Sequence, residues 1–271
     1  MGLRINTNLA ALNAGRILNR STDALNVSLE RLASGLRINR AADDAAGLAI
    51  AEGFRSVVRG TQVAQRNAQD GVSLVQTAEG ALSETTNILQ RVRELAVQAA
   101  NGTQSTENQA ALNNEVLQLL DQIDDIAFDT EFNGIRVLSG SQTVTLQAGS
   151  QQGQTLRIVV QGASTRDLGV SAVRVSNAAS AVAALSTVDR AIRSVTSLRS
   201  DLGAFQNRLE FTINTLAIQE ENSAASESAI RDADIARETC GFTRNQILEA
   251  AGSRGLAQPN VLPQTALTLL R

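Results

Sequence analysis

Residues 74–99 read LVQTAEGALSETTNILQRVRELAVQA, and this stretch decides the fold. Its mostly apolar positions recur at alternating steps of four and three residues: Leu74, Ala78, Ala81, Thr85, Ile88, Val92, Leu95 and Ala99. Such steps average about 3.5 residues, the period that keeps one stripe of a helix facing a neighbouring helix. The stretch therefore predicts a long helix that needs a partner.

A second stretch, residues 188–216, repeats the same spacing far along the chain. Its positions are Val188, Ala191, Val195, Leu198, Leu202, Phe205, Leu209, Thr212 and Leu216. Either stripe alone would lie in water, so we expect the two to pack together as long antiparallel, coiled-coil-like helices. The pattern predicts a mainly α protein shaped as an elongated helical rod.

The middle of the chain has a different period. Residues 143–147 (TVTLQ) and 155–161 (TLRIVVQ) alternate or run apolar, and the polar stretch AGSQQGQ lies between them. A period of two is typical of strands. One small β-hairpin region is therefore predicted at about 136–175.

Local signals predict where the helices end. Gly35 follows the leucine repeat of a first helix, because glycine accepts the left-handed C-cap conformation. Asp43 and Asp44 precede the second helix, where carboxylates cap free N–H groups, and Asn101-Gly102 ends it near Ala100.

Further along, Thr103 or Ser105 is expected to cap the third helix. Its predicted buried stripe is Leu112, Val116, Leu119, Ile123 and Ile126. Pro259 and Pro263 predict a kink or break in the last helix unless packing compensates, because an interior proline costs about 3 kcal/mol.

Composition excludes several function classes. All 24 basic residues are Arg, His is absent and Cys occurs once, so zinc fingers, disulfide frameworks, Cys–His nucleophiles and P-loop lysines are excluded. With 27 acidic residues and a net charge of −3, nucleic acid is not an expected partner. The sequence contains no run of 18 apolar residues, so a membrane-spanning helix is not expected. We expect no catalytic residues, no metal site and no cofactor.

Two smaller features are interpreted as structural and not as functional sites. Asp121, Asp124 and Asp125 are interpreted as a solvated acidic face of a helix and not as a cation site, because no further ligand has suitable spacing. Cys240 is interpreted as a small buried hydrophobe.

The two ends of the chain carry a dense resemblance to a known family. The N-terminal blocks are RINTNLAALNAGRILNRS (4–21), SLERLASGLRINRAADDAAGLAIAE (28–52), RNAQDGVSLVQTAEGALSETTNILQRVRELAVQAANGT (66–103) and TEFNGIRVL (130–138). The C-terminal blocks are LGAFQNRLEFTINTL (202–216), IRDADIARET (230–239), TRNQIL (243–248) and LPQTALTLLR (262–271). In number and order these blocks resemble bacterial flagellin, the subunit of the flagellar filament.

The resemblance implies paired N- and C-terminal helices that line the filament core. It assigns residues 1–40 and 230–271 to a terminal helical assembly domain, and 41–229 to a rod domain that carries the hairpin. Because only about forty residues separate the two family regions, we expect a minimal flagellin without outer domains. The chain lacks a secretory signal, which by itself indicates a cytoplasmic protein. Flagellins instead leave the cell unfolded through the flagellum's own export apparatus, so an extracellular filament is expected.

The same resemblance implies the partners. They are further copies of the chain in a helical homopolymer, the export apparatus, an export chaperone and the filament cap. Because the planar guanidinium holds carboxylates bidentately, the expected subunit-interface residues are Arg31, Arg37, Arg40, Arg55, Arg59, Arg91 and Arg93. The RVRELAVQ block and the following helix resemble the segments by which some flagellins bind Toll-like receptor 5, so Arg91, Leu95 and Glu115 are expected contacts.

Three alternatives belong to other classes. A hook-filament junction protein is also exported and also has helical segments at both ends of its chain, but RVRELAVQAANGT and LPQTALTLLR favour flagellin. An intracellular coiled-coil scaffold would explain the heptads but not the family blocks. An enzyme carried on a filament needs an inserted catalytic domain, which the short middle does not offer.

Overall fold

The structure, a computed structural model, describes residues 8–268. Its elements follow in this order: α1 (Leu9–Ser34), α2 (Ala45–Ala99), α3 (Thr106–Asp129), β1 (Glu131–Phe132), β2 (Ile135–Arg136), β3 (Gln142–Gln147), β4 (Thr155–Val160), α4 (Ala178–Arg231) and α5 (Ile235–Thr268). The predicted mainly α fold with a small hairpin region is confirmed. Among the described helices, none combines the length and the hydropathy that a membrane span requires.

The chain divides into two compact units. One contains the residues up to Ser56 together with those from Asn222 onward, and the other is Val57–Glu221. Each has its own packing. The division into 1–40 with 230–271 and 41–229 remains a prediction, because it concerns which segments line a filament.

In the unit Val57–Glu221, polar contacts show that α2 and α4 run antiparallel. Arg93 on α2 pairs with Asp189 at the start of α4, at 2.7 Å between Nε and Oδ1. At the opposite end, Gln65 donates a hydrogen bond to Glu220. As residue numbers fall along α2, those of its partners rise along α4. The two heptad stretches of the sequence therefore belong to neighbouring antiparallel helices.

The buried face of α2 contains most of the predicted stripe and is wider than it. Within residues 74–99, Ala81 and Ile88 only pack against the core, whereas the other predicted positions are buried: Leu74, Ala78, Thr85, Val92, Leu95 and Ala99. Val75, Leu82, Leu89 and Ala96 are buried as well, so the buried face is wider than a two-helix seam. Neighbours besides α4, namely α3 and the hairpin, account for the extra width.

The β3–β4 hairpin pairs Gln142 with Val160 at its open end and Gln147 with Thr155 next to the turn. It lies within the predicted region, which otherwise contains loops. On β4, every second side chain faces the core: Leu156, Ile158 and Val160. A smaller hairpin, β1–β2, precedes it, and its turn residues Asn133 and Gly134 both have positive φ, as a two-residue type I′ turn requires.

Glycines on α2 let the hairpin lie close to the helix. A Cβ at Gly60 would come within 2.8 Å of the Cβ of Ser150, and one at Gly71 would overlap Leu146. Between them, the Asn67 side chain donates a hydrogen bond to the Gln147 carbonyl at 3.1 Å. Gly60, Asn67 and Gly71 lie on one face of α2, and the hairpin and its turn pack along that face.

The interpretation of Asp124 as part of a solvated acidic face is wrong. Its two carboxylate oxygens accept hydrogen bonds from the backbone N–H and the hydroxyl of Thr165, each at 2.7 Å. The loop after β4 is thereby tied to α3. Asp121 and Asp125 do lie exposed.

The predicted helix ends are confirmed at several places. Gly35 caps α1 with φ 72, Asp44 accepts a hydrogen bond from the Gly47 N–H at the start of α2, and Ser105 caps α3. At the other end of the chain, α5 continues past Pro259 and Pro263. The predicted break is therefore absent from α5.

Candidate assembly surface

In the other unit, α1 and α5 form an antiparallel pair that has small residues where the two helices come closest. Ser28 on α1 lies beside Gly241 on α5, and Leu18 lies beside Gly252. The positions of the seam recur at steps of three and four on both helices. Ser28 is buried, and the half-buried positions include Ala11, Ala14, Leu18, Ser21, Leu25 and Leu32 on α1, and Glu238, Gly241, Asn245, Glu249, Gly252 and Leu256 on α5. Small side chains let two helices approach closely but bury little apolar area.

Many large apolar side chains of this pair are exposed, outside the seam. Those that remain exposed are Leu9, Leu12, Ile17, Val27 and Leu29 on α1, and Ile235, Ile247 and Leu248 on α5. Leu9 is 74% exposed and Ile247 63%. A groove on α5 is lined by Thr243, Ile247 and Leu248, on the side away from α1. Apolar surface of this kind is typical of an interaction site.

A backbone clasp joins the two ends of the chain where α1 and α4 stop. We call residues 35–37 together with 230–233 the clasp. The Arg37 N–H donates to the Arg231 carbonyl at 2.6 Å, and the Ala233 N–H donates to the Gly35 carbonyl at 2.9 Å. Leu36 and Asp232 thereby form an isolated antiparallel β-bridge.

Two arginine side chains extend the clasp. The Arg37 guanidinium donates to the Ile230 carbonyl, and Arg231 pairs with Glu52 on α2 at 2.9 Å. Arg231 also lies 4.0 Å from Glu227, one turn earlier on its own helix. The clasp therefore holds the α1–α2 loop, the first turns of α2 and the end of α4 together.

The loop between α1 and α2 has its own internal support. The Asp43 carboxylate accepts hydrogen bonds from the backbone N–H groups of Asn39 and Arg40, both at 3.0 Å. These bonds, first that from Arg40 and then that from Asn39, lower the pKa of Asp43 below its usual value. Ile38, between the clasp and these amides, is buried.

Of the predicted interface arginines, four lie in this unit and have partners within the chain. Arg31 lies 3.8 Å from Glu238 across the α1–α5 seam, and Arg37 belongs to the clasp. Arg40 pairs with Glu30 and Arg55 with Glu52. Their role toward neighbouring subunits stays a prediction, and any such contact must compete with these internal pairs.

The other three arginines lie on α2 in the unit Val57–Glu221. Arg91 pairs with Glu115 on α3 at 2.8 Å and with Glu94 on its own helix at 3.2 Å. The hydrogen bond to Glu115, followed by that to Glu94, raises the pKa of Arg91 above its usual range. Arg93 pairs with Asp189, whereas Arg59 is exposed. Among the described residues, Arg59 has no ion-pair partner.

The expected surface pair of Arg91 and Leu95 is not present. Leu95 is only 1% exposed and belongs to the core, whereas Arg91 lies at the surface. A spacing of four places two residues about 40° apart around a helix. Here the edge of the buried face falls between them, so Leu95 cannot offer an apolar anchor to a partner.

Sequence reasoning also missed the environment of Cys240. The thiol is exposed on the outer side of α5, in the same groove as Ile247, and not buried as expected. The helical period indicates this exposure: Gly241 and Asn245 lie on the stripe of α5 that faces α1, and Cys240 lies off that stripe.

Comparisons with known proteins agree with this arrangement. The family profile described as the bacterial flagellin N-terminal helical region matches residues 5–143, and that of the C-terminal helical region matches residues 185–270. A flagellin of Halalkalibacterium halodurans is 46% identical over 98% of this chain and 99% of its own length. A flagellar filament core protein of Treponema maltophilum is 41% identical over 98% of this chain and 99% of its own length.

Among solved structures, a protein of Vibrio parahaemolyticus described as flagellar hook-associated aligns with a TM-score of 0.60 at 13% identity. The alignment covers 70% of this chain and all of that one, and at this identity it supports the fold alone. The identity to flagellins over nearly the whole chain disfavours the hook-filament alternative. The chain belongs to the bacterial flagellin family, without an outer domain, and is an extracellular structural subunit of the flagellar filament, not an enzyme.

Proposed function

We propose that this flagellin assembles by burying the outer faces of α1 and α5 against neighbouring subunits, so that residues 1–40 and 230–271 build the filament core. One observation carries the proposal: among the described residues of this helix pair, eight large apolar side chains lie exposed, outside its seam. Leu12 on α1 and Ile247 on α5 are each more than half exposed. Burial of one such side chain stabilises an assembly by about 1.5–3 kcal/mol.

Charge sets the register of these contacts. Exposed ion pairs contribute about 0–1 kcal/mol each, so apolar burial dominates the free energy of assembly. Arg59 and Arg40 are the strongest interface candidates among the predicted arginines, because the former has no described partner and the latter is largely exposed beside Glu30. Head-to-tail contacts that do not close give an open helical array.

Export precedes assembly. The subunit leaves the cell unfolded through the flagellar export apparatus, accompanied inside the cell by a chaperone, and adds to the filament beneath a cap at its tip. Family membership supports this route. The small-residue seam of α1 and α5 supports it too, because a pair that buries little apolar area alone unfolds readily before it reaches its neighbours.

Substitutions on the outer faces test the assembly proposal. Leu12→Gln and Ile247→Gln, each in the full chain, should raise the subunit concentration needed for filaments at least tenfold while leaving the helical circular dichroism unchanged. Ile218→Gln is the matched control, because Ile218 is 61% exposed on α4 in the other unit. Normal filament yield from both outer-face variants, measured by sedimentation and electron microscopy, would contradict the proposal.

A second proposal concerns Toll-like receptor 5. Arg91 and Glu115 form an ion pair at the surface between α2 and α3, where a receptor can replace one partner of the pair. With Leu95 buried, the expected contact reduces to these two charged residues. Monomer carrying Arg91→Ala should activate a receptor-expressing reporter cell less than the parent, and Arg157→Ala, a change at an exposed arginine on β4, should not. Equal responses from all three proteins would contradict this contact.

A further inference from the structure

The ion pairs of the described residues share one chemistry. In the unit Val57–Glu221, Arg93 joins Asp189 and Arg199 joins Glu79, both between α2 and α4, and Arg91 joins Glu115 of α3. We call Arg93–Asp189 and Arg199–Glu79 the interhelix locks. They lie nearly three turns apart along α4, so they fix the register of two long helices at two points.

The other unit contains ion pairs between arginine and a carboxylate as well. Arg231 joins Glu52 beside the clasp, and Arg31 faces Glu238 across the α1–α5 seam. Every described pair therefore places a guanidinium opposite a carboxylate. The charged groups that face one another between α2, α3 and α4 are Glu79, Arg91, Arg93, Glu94, Glu115, Asp189 and Arg199.

Guanidinium and carboxylate groups both keep their charges over a wide range of pH, from about pH 4 to about pH 12. Carboxylates ionise near pH 4 and arginine stays protonated to above about pH 12, whereas His, Cys, Tyr and Lys change charge between about pH 6.5 and 10.4. The sequence contains no His, no Tyr and no Lys, and one Cys. In a protein that contains lysine and tyrosine, lysine loses its positive charge and tyrosine gains a negative charge near about pH 10, so the net charge falls steeply. In this chain, Cys240 is the one side chain of a type that changes charge between about pH 6.5 and 10.4.

We propose that this flagellin is a subunit for alkaline surroundings, in which the interhelix locks and the charge pattern persist unchanged from neutral pH to about pH 11. An ion pair of this kind contributes only while both of its groups are charged. Arginine as a residue type keeps its charge to above about pH 12, whereas a lysine side chain begins to lose its charge near about pH 10.4. On the acid side, the carboxylates lose their contribution below about pH 4.

Cys240 is the exception, and it lies on the assembly surface. The thiol is exposed in the α5 groove with Arg244 one turn away, and Arg237 lies almost one turn before it. The Arg31–Glu238 pair lies in the seam, on the other side of α5. A new negative charge at Cys240 therefore changes the assembly surface without affecting the interhelix locks.

Thermal melting of the full chain tests the locks. The double variant Arg93→Lys, Arg199→Lys keeps a cation at each position but makes it titratable. Its matched control is Arg59→Lys, Arg157→Lys, which makes the same chemical change at two exposed arginines that have no described ion pair. Tm is followed by circular dichroism at pH 7.5 and at about pH 11.3, between the lysine and arginine ranges.

The parent and the control should lose less than about 3 °C between the two pH values, and the lock variant should lose about 2–6 °C more than either. All three should agree within about 2 °C at pH 7.5. The inference is overturned if the parent loses as much as the lock variant. It is overturned equally if the control loses as much, because the positions of the locks would then be irrelevant.

Sedimentation of filaments at the same two pH values tests the assembly surface. This arm rests on the proposed assembly through α1 and α5, whereas melting of the subunit does not, so the two can fail separately. Filaments of Cys240→Ser should pellet to within about a tenth of the same fraction at both pH values. Dissolution of the Cys240→Ser filaments at high pH, while the subunit retains its Tm, would overturn the claim for the filament.

Discussion

Leu36 and Asp232 lie opposite one another in an isolated antiparallel β-bridge, although 195 residues of sequence separate them. Two backbone hydrogen bonds flank the bridge, one from the Arg37 N–H and one to the Gly35 carbonyl. The bridge is the point at which both ends of the chain turn into the helix pair that carries the outer apolar faces. Its geometry therefore governs how α1 and α5 meet.

Gly35→Ala should destabilise the unit that contains the clasp. Gly35 has φ 72, a conformation that costs an L side chain about 1 kcal/mol or more. The matched control is Gly53→Ala in α2, where a Cβ would meet nothing within 4 Å and should stabilise by about 0.5–1 kcal/mol. Urea unfolding of both proteins measures the difference, and a stabilised Gly35→Ala protein would contradict the prediction.

Gly60→Ala should loosen the hairpin. A Cβ at this position would lie 2.8 Å from the Ser150 Cβ and 3.3 Å from its Cα, so the turn itself must move. Overpacking of this kind costs about 1–3 kcal/mol. Gly80→Ala on the same helix has open space and should be neutral or stabilising. Faster hydrogen exchange of the Ala148 amide, which bonds the Gln154 carbonyl, would locate the change, and unaltered exchange would argue against it.

Leu95→Ala should act through stability alone. Leu95 is part of the core, and removal of a buried leucine side chain costs about 2–5 kcal/mol. Arg91→Ala, at an exposed ion pair, should cost less than about 1 kcal/mol. Unfolding of the two variants in urea compares them directly. Equal losses would mean that Leu95 is not packed as described.

Asp43 should make the clasp loop sensitive to acid. Its pKa is lowered in the folded state, so it contributes stability above the unfolded value, about 3.9, and loses it as pH falls through the lower folded value. The Tm of Asp43→Asn should therefore lie below that of the parent at pH 7, and the difference should shrink as the pH falls through the lowered folded value. Asp23→Asn, at an exposed position on α1, is the matched control.

The helix ends and the fold class could be predicted from the sequence because they depend on local chemistry. Gly35, Asp44 and Ser105 each do what their residue types do in isolated peptides: accept a positive φ or cap free N–H groups. The period of residues 74–99 was sufficient to predict a long helix with a partner. The filament function came from the resemblance of the blocks at the two ends.

The details that failed depend on neighbours that are distant in sequence. Periodicity cannot distinguish Leu82 from Ala81 when several elements bury one wide face, and α2 has such a face. Asp124 binds Thr165 across 41 residues, and no local pattern indicates that bond. The interface arginines are predicted from their chemistry, but most of them pair with carboxylates within the chain, and these pairings depend on the folded arrangement.

Removal of residues 236–271 tests most directly the claim that α1 and α5 build the filament. The buried positions within residues 75–99 of α2 and 188–216 of α4 lie within the remaining chain. The truncated protein should keep helical circular dichroism with cooperative melting but leave no filaments in the pellet. Long filaments of the truncated protein in electron micrographs would contradict it.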